Sequence, residues 1–263
     1  MKPLKMSRAV VYCIGVAVLL ALIIGLSVGL TRRNSSSASG SSALNSQGHP
    51  DLRGKWPHEL SDIPKDERVT YGQLDNGLRY MLMPNGELPG RLSVRMHIDA
   101  GSIQEDDDQR GVAHMLEHLV FTGTKNFPEL TDLEYTVQRL GAHSNAYTTF
   151  DETVYFIDLP DTDDETVNTI FAVFRDFSDG ALLTDEKVEI ERGIVLSEDR
   201  SYDSVERQIF LDQLEYLLPD HRLAERIPIG DRDVIKTVPR QRIKHTTTSF
   251  MCRNTLPWSL LVI

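Results

Sequence analysis

The sequence predicts an α+β fold, a mostly antiparallel sheet covered by helices. Three stretches predict it. "RLSVRMHIDA" alternates: Leu92, Val94, Met96, Ile98 and Ala100 face one way, Arg91, Ser93, Arg95, His97 and Asp99 the other, the period of a half-buried strand. Val167, Ile170, Phe171, Phe174 and Phe177 recur instead at helical spacing, behind acidic residues suited to a helix N-terminus. "TDEKVEIERGIVLSED" repeats the helical period, with Thr184 placed to cap it.

Taken in order, residues 1–8 are a basic N-terminus, with Lys2, Lys5 and Arg8. Residues 9–30, "AVVYCIGVAVLLALIIGLSVGL", carry no charge over 22 positions. A bilayer needs about 20 apolar residues and a cleaved signal about 7–15, so a transmembrane signal-anchor is expected, with a cleaved signal and a secreted body as the alternative. The basic flank places the N-terminus in the cytoplasm and the body on the lumenal, periplasmic or extracellular side. Residues 31–50 are rich in Ser and Gly and read as a flexible linker.

Residues 51–263 are expected to be the folded body. Asn76-Gly77 and Asn85-Gly86 bracket a short strand in "LDNGLRYMLMPNG", and "TVYFIDLP" is a further strand, ending at Pro160. The chain carries a net charge of −11, of which residues 1–50 contribute +5, leaving the body at −16. That sign argues against nucleic acid as a partner. Two cysteines, Cys13 and Cys252, provide neither a disulfide framework nor a thiolate zinc site.

"GVAHMLEHLVFTGT" carries the chemistry. If residues 111–122 are helical and entered from Gly111, His114 and His118 project from one face with Glu117 beside them. Two neutral imidazoles at this spacing can hold zinc, and the carboxylate can accept a proton from water there. A single histidine on an apolar helix is usually a hydrogen-bonded core residue. The pair with a glutamate, in the inverted His-x-x-Glu-His order, is a known zinc-peptidase pattern.

A calcium loop overlaps the same residues, with Asp106, Asp108, Gly111 and Glu117 at positions 1, 3, 6 and 12. Arg110 stands where a ligand belongs and a strand precedes the loop, so calcium is rejected. Zinc still needs a third protein ligand. Glu191 and Glu198 are seven apart on the second helix, in its apolar stripe with Val188, Ile194 and Val195, whereas Glu186 and Glu189 point away. Inward carboxylates need a cation, either Lys or Arg partners or a metal, and the upstream motif favours a zinc ligand with a supporting carboxylate.

At these residues the sequence resembles the pitrilysin family of inverted-motif zinc peptidases, which includes insulin-degrading enzyme and the mitochondrial processing peptidase. The resemblance runs through "LDNGLRYML", "AGSIQEDDDQRGVAHMLEHLVFTGTKNFPE", "LGAHSNAYTTFDETVYFIDLP" and "ERGIVLSED", and more faintly through "IPIGDRDVIKTV". It covers most of residues 68–263 and is nearest in wording to bacterial-type secreted members. It implies a zinc metalloendopeptidase acting on peptides or unfolded segments, with Zn2+ held by His114, His118 and Glu198. It further implies Glu117 as the general base and Glu191 as the carboxylate supporting the site. Asn145 and Ala146 would lie on an edge strand that takes substrate peptide as an added strand. From its own sequence context alone, Asn145 reads rather as a turn residue entering a strand.

Family members work as two homologous halves, and only one half is present here. "NTLPWSLLVI" stops within a strand, so the body is expected to be C-terminally truncated or to need a partner chain carrying the second half, and its last strand is expected at an exposed edge. The alternatives to an enzyme are a non-catalytic peptide-binding or scaffolding subunit, or an inactive truncated fragment.

Overall fold

The computed structural model describes residues 56–59, 61–86, 89–251 and 258–262. All belong to the unit Leu52–Ile263. The expected membrane helix over 9–30 lies outside the described residues, as does the linker. Among the described residues no helix is long and apolar enough to cross a membrane.

Six strands form one sheet in the order β1-β2-β6-β3-β5-β4. They are β1 (Thr70–Gln73), β2 (Arg79–Leu82), β3 (Leu92–Ile98), β4 (His143–Thr148), β5 (Thr153–Leu159) and β6 (Trp258–Val262). Every neighbouring pair is antiparallel except β2 with β6. The alternation in "RLSVRMHIDA" becomes β3, whose Val94, Met96 and Ile98 are buried. β6 does not form an exposed edge. It pairs with β2 on one side and β3 on the other, so its backbone groups have partners in both directions. The free edge nearest the histidines is β4, which pairs only with β5.

The helices are α1 (Val112–Thr122), α2 (Leu130–Arg139), α3 (Asp164–Asp179), α4 (Asp185–Ser201), α5 (Val205–Leu217), α6 (Arg222–Glu225), α7 (Arg232–Thr237) and α8 (Arg240–Met251). Burial of their apolar faces supplies most of the drive to pack. Ile170, Val173, Phe174 and Phe177 of α3 join the inner residues of β3 and β5 in one cluster, together with Val120 of α1. Phe171, expected on this face, is exposed, and Val173 takes its place in the core. A second cluster joins Val112, Met115, Leu116 and Leu119 of α1 to Val188 of α4 and Ile243 of α8. The first helix is thus gripped on two sides, which leaves one strip for His114 and His118.

Candidate metal centre

Gly111 opens α1 at φ 99°, a left-handed conformation that glycine adopts at no steric cost. Glu105, fully buried, accepts hydrogen bonds from the backbone N–H groups of Gly111 at 2.8 Å and Ala113 at 2.7 Å. Helix N-termini leave such donors unpaired, and a carboxylate there is favourable with the helix dipole. Burial nevertheless pushes this carboxyl up to about 7, against those donors. The entry to the histidine helix is therefore fixed by a residue that sequence reading did not single out.

Four positions apart, His114 and His118 bring their Nε2 atoms to 3.3 Å, with ring centroids 4.7 Å apart. Glu198 of α4 faces them. Its Oε2 lies 3.7 Å from His114 Nε2 and 3.6 Å from His118 Nε2. Four-coordinate zinc with bonds of about 2.0–2.1 Å spaces its donors by about 3.3–3.4 Å. Three donors already separated by 3.3, 3.6 and 3.7 Å fit such an ion. Among the described residues these three side chains form a group able to hold a metal.

Glu191, one pair of turns before Glu198, does not join the three. Its Oε2 is 3.3 Å from the other ring nitrogen of His118, Nδ1. That contact draws the Nδ1 proton and leaves Nε2 bare toward the cluster, the usual arrangement for a ligating imidazole. His114 lacks this support: its Nδ1 is buried with no hydrogen-bond partner. The stripe is also narrower than expected, because Val188, Glu191 and Val195 are buried while Ile194 is exposed.

Electrostatics separates the two histidines. Burial first, and then the His118 ring, push His114 down to about 4, so its imidazole is neutral and ready to ligate. His118 moves up, chiefly through its hydrogen bond to Glu191. Burial raises Glu117, and the hydroxyl of Thr148, donating to Glu117 Oε2 at 2.6 Å, opposes that rise. Thr148 closes β4, so the free sheet edge and the carboxylate beside the histidines are directly joined. Asn145 and Ala146 lie on that edge, where Ala146 N–H donates to Asn145 Oδ1 at 2.9 Å.

Asp106 and Asp108 accept from Arg242, at 3.0 and 2.6 Å.

The sequence signature described as Insulinase (Peptidase family M16) matches residues 85–221, just over half of the chain. The chain belongs to peptidase family M16. It is 36% identical over 185 residues to the probable zinc protease PqqL of Escherichia coli (strain K12), an alignment covering 69% of this chain and 20% of PqqL. With the chloroplastic stromal processing peptidase of Arabidopsis thaliana it shares 34% identity over 179 residues, 66% of this chain and 14% of that protein. The crystal structure of the first half of the periplasmic protease PqqL from Escherichia coli matches with a TM-score of 0.71 and 32% identity, over 76% of this chain and 44% of that one. This M16 chain thus spans about a fifth of its bacterial relative and less of the plant one.

Proposed function

We propose that this chain is the metal-bearing half of a zinc-dependent metalloendopeptidase that hydrolyses peptides or unfolded polypeptide segments. The observation that carries the proposal is the convergence of His114, His118 and Glu198 at donor spacings that suit zinc, with Glu117 on the same helix face. Bound there, zinc supplies Lewis acidity, which lowers the pKa of water and polarises a peptide carbonyl.

The chain's own residues do the rest. Glu117 takes the proton of the attacking water and passes it toward the leaving amine. Its burial holds its basicity above that of an ordinary carboxylate, and Thr148 keeps it aimed. Glu191 fixes the tautomer of His118. The β4 edge at Asn145 and Ala146 receives the substrate as an added strand, so backbone hydrogen bonds give affinity with little demand on sequence. A second homologous half, on more of the same protein or on a partner chain, closes the site over the substrate. The body, residues 51–263, works outside the cytoplasm, behind the apolar segment 9–30 acting as an anchor. The solved relative PqqL is a periplasmic protease, which supports that location.

Incubating the zinc-loaded chain, together with the second half that completes the site, with an unstructured polypeptide tests this reading. Cleavage by the native protein, and none by Glu117→Gln with its zinc retained, is expected. Zinc retention with peptide binding but no cleavage would turn the reading to the non-catalytic peptide-binding half.

A further inference from the structure

The stretch "IPIGDRDVIKTV", residues 227–238, resembles the family but contributes no atom to the metal group. In the fold it touches both helices that carry the candidate ligands. At its leading end, the backbone N–H of Asp231 donates to Arg110 O at 3.2 Å, and the Asp231 carboxylate lies 3.3 Å from the Arg110 guanidinium. Gly230, at φ 86°, packs backbone to backbone on Gly111, so closely that a Cβ on Gly111 would meet Gly230 Cα at 2.9 Å. Gly111 is the residue from which α1 starts, three before His114.

The trailing part, α7, is tied to α4 at two points. Arg232, at the start of α7, pairs with Asp199. Arg192 of α4 reaches the other end and donates to Ile235 O and, at 2.9 Å, to Val238 O. Arg192 and Asp199 each directly follow one of the site glutamates, Glu191 and Glu198. Two positions seven apart on α4 face the histidines, and the two next to them, about 100° around the axis, hold α7. Asp199 is 1% exposed and carries a second arginine, Arg207, at 2.7 Å. A buried carboxylate between two guanidiniums is costly to disturb, because removing it leaves charges without partners.

We infer that residues 227–238 are a brace that sets the spacing between α1 and α4, and that Asp199 and Arg192 are positioning residues for the metal group. The inference rests on the zinc reading above. Rotation of α4 by a fraction of a turn would carry Glu198 off the point where the two Nε2 atoms meet. The Asp199 and Arg192 contacts oppose that rotation from the flank of the helix, about 100° around the axis from the two glutamates.

Zn2+ affinity of the full chain, measured by chelator competition, and its Co2+ absorption spectrum test the brace. Asp199→Asn and Arg192→Met are expected to weaken Zn2+ binding about tenfold, the lower end of the range for residues that orient metal ligands, and to alter the Co2+ spectrum. Arg192→Lys should restore most of the affinity. Ile157→Val, in the sheet core away from the brace, should lower the unfolding midpoint without moving either readout. Native affinity and spectrum in folded Asp199→Asn and Arg192→Met would overturn the inference, as would an equal loss in Ile157→Val. A native chain that binds no Zn2+ would instead remove the zinc reading, and the brace with it.

Discussion

The Thr148 hydroxyl donates to the Glu117 carboxylate at 2.6 Å, joining the last residue of the free sheet edge to the residue assigned as general base. A peptide laid along β4 therefore ends beside the group that handles the proton. Under the proposed function, substrate binding and basicity would share that one hydrogen bond.

Thr148→Val keeps the shape and removes that bond. Thr148 keeps Glu117 aimed, and a misaimed base slows proton transfer, so peptide hydrolysis should fall roughly tenfold. Because the bond lowers the Glu117 pKa, its loss raises it, and the acid limb of the pH–rate profile should move to higher pH. Zinc content should be unchanged. An unshifted acid limb would mean that Glu117 is not the titrating base.

Zinc affinity should rise with pH through a window above the ordinary histidine value of about 6.5. In the metal-free site His118 is raised, first by Glu191, so its proton stabilises the fold below that value and is lost as pH climbs through the raised one. The metal competes with this proton. His114, down at about 4, is already neutral and does not limit binding. Glu191→Gln should move the window downward and weaken binding about 10- to 100-fold, read by chelator competition across pH. An unmoved window would assign the competing proton to another group.

Ala146→Pro tests the sheet edge. The Ala146 N–H donates to the neighbouring Asn145 side chain, and proline is tolerated on edge strands where the ladder does not need that donor. The variant should fold and keep zinc while KM for peptides rises about tenfold. Unchanged KM would place the substrate elsewhere.

Much of this architecture was legible because its signals are local. The alternation through Val94, Met96 and Ile98, the Gly111 entry to α1 and the Thr184 cap, which accepts from Lys187 N–H at 3.3 Å, each lie within a few residues. The seven-residue spacing of Glu191 and Glu198 put both carboxylates on the histidine side of α4. What escaped depends on contacts distant in the chain. Thr148 meets a carboxylate 31 residues away, and Asp199 meets Arg232 33 residues on, where an aspartate in an acidic helix looks merely solvated. The apolar run of β6 signals a strand, yet nothing local says that it enters between β2 and β3. Ile194 was misplaced because helical periodicity does not fix the width of a buried stripe, and α7 and α8 cover only part of that face.

The measurement that bears most directly on the zinc assignment is metal stoichiometry of the purified full chain beside His118→Ala, Glu198→Gln and Glu117→Gln. The assignment predicts about one zinc per chain in the native protein and in Glu117→Gln, its loss in His118→Ala, and markedly weaker retention in Glu198→Gln. A folded native chain without zinc, or zinc that stays in His118→Ala, would contradict it.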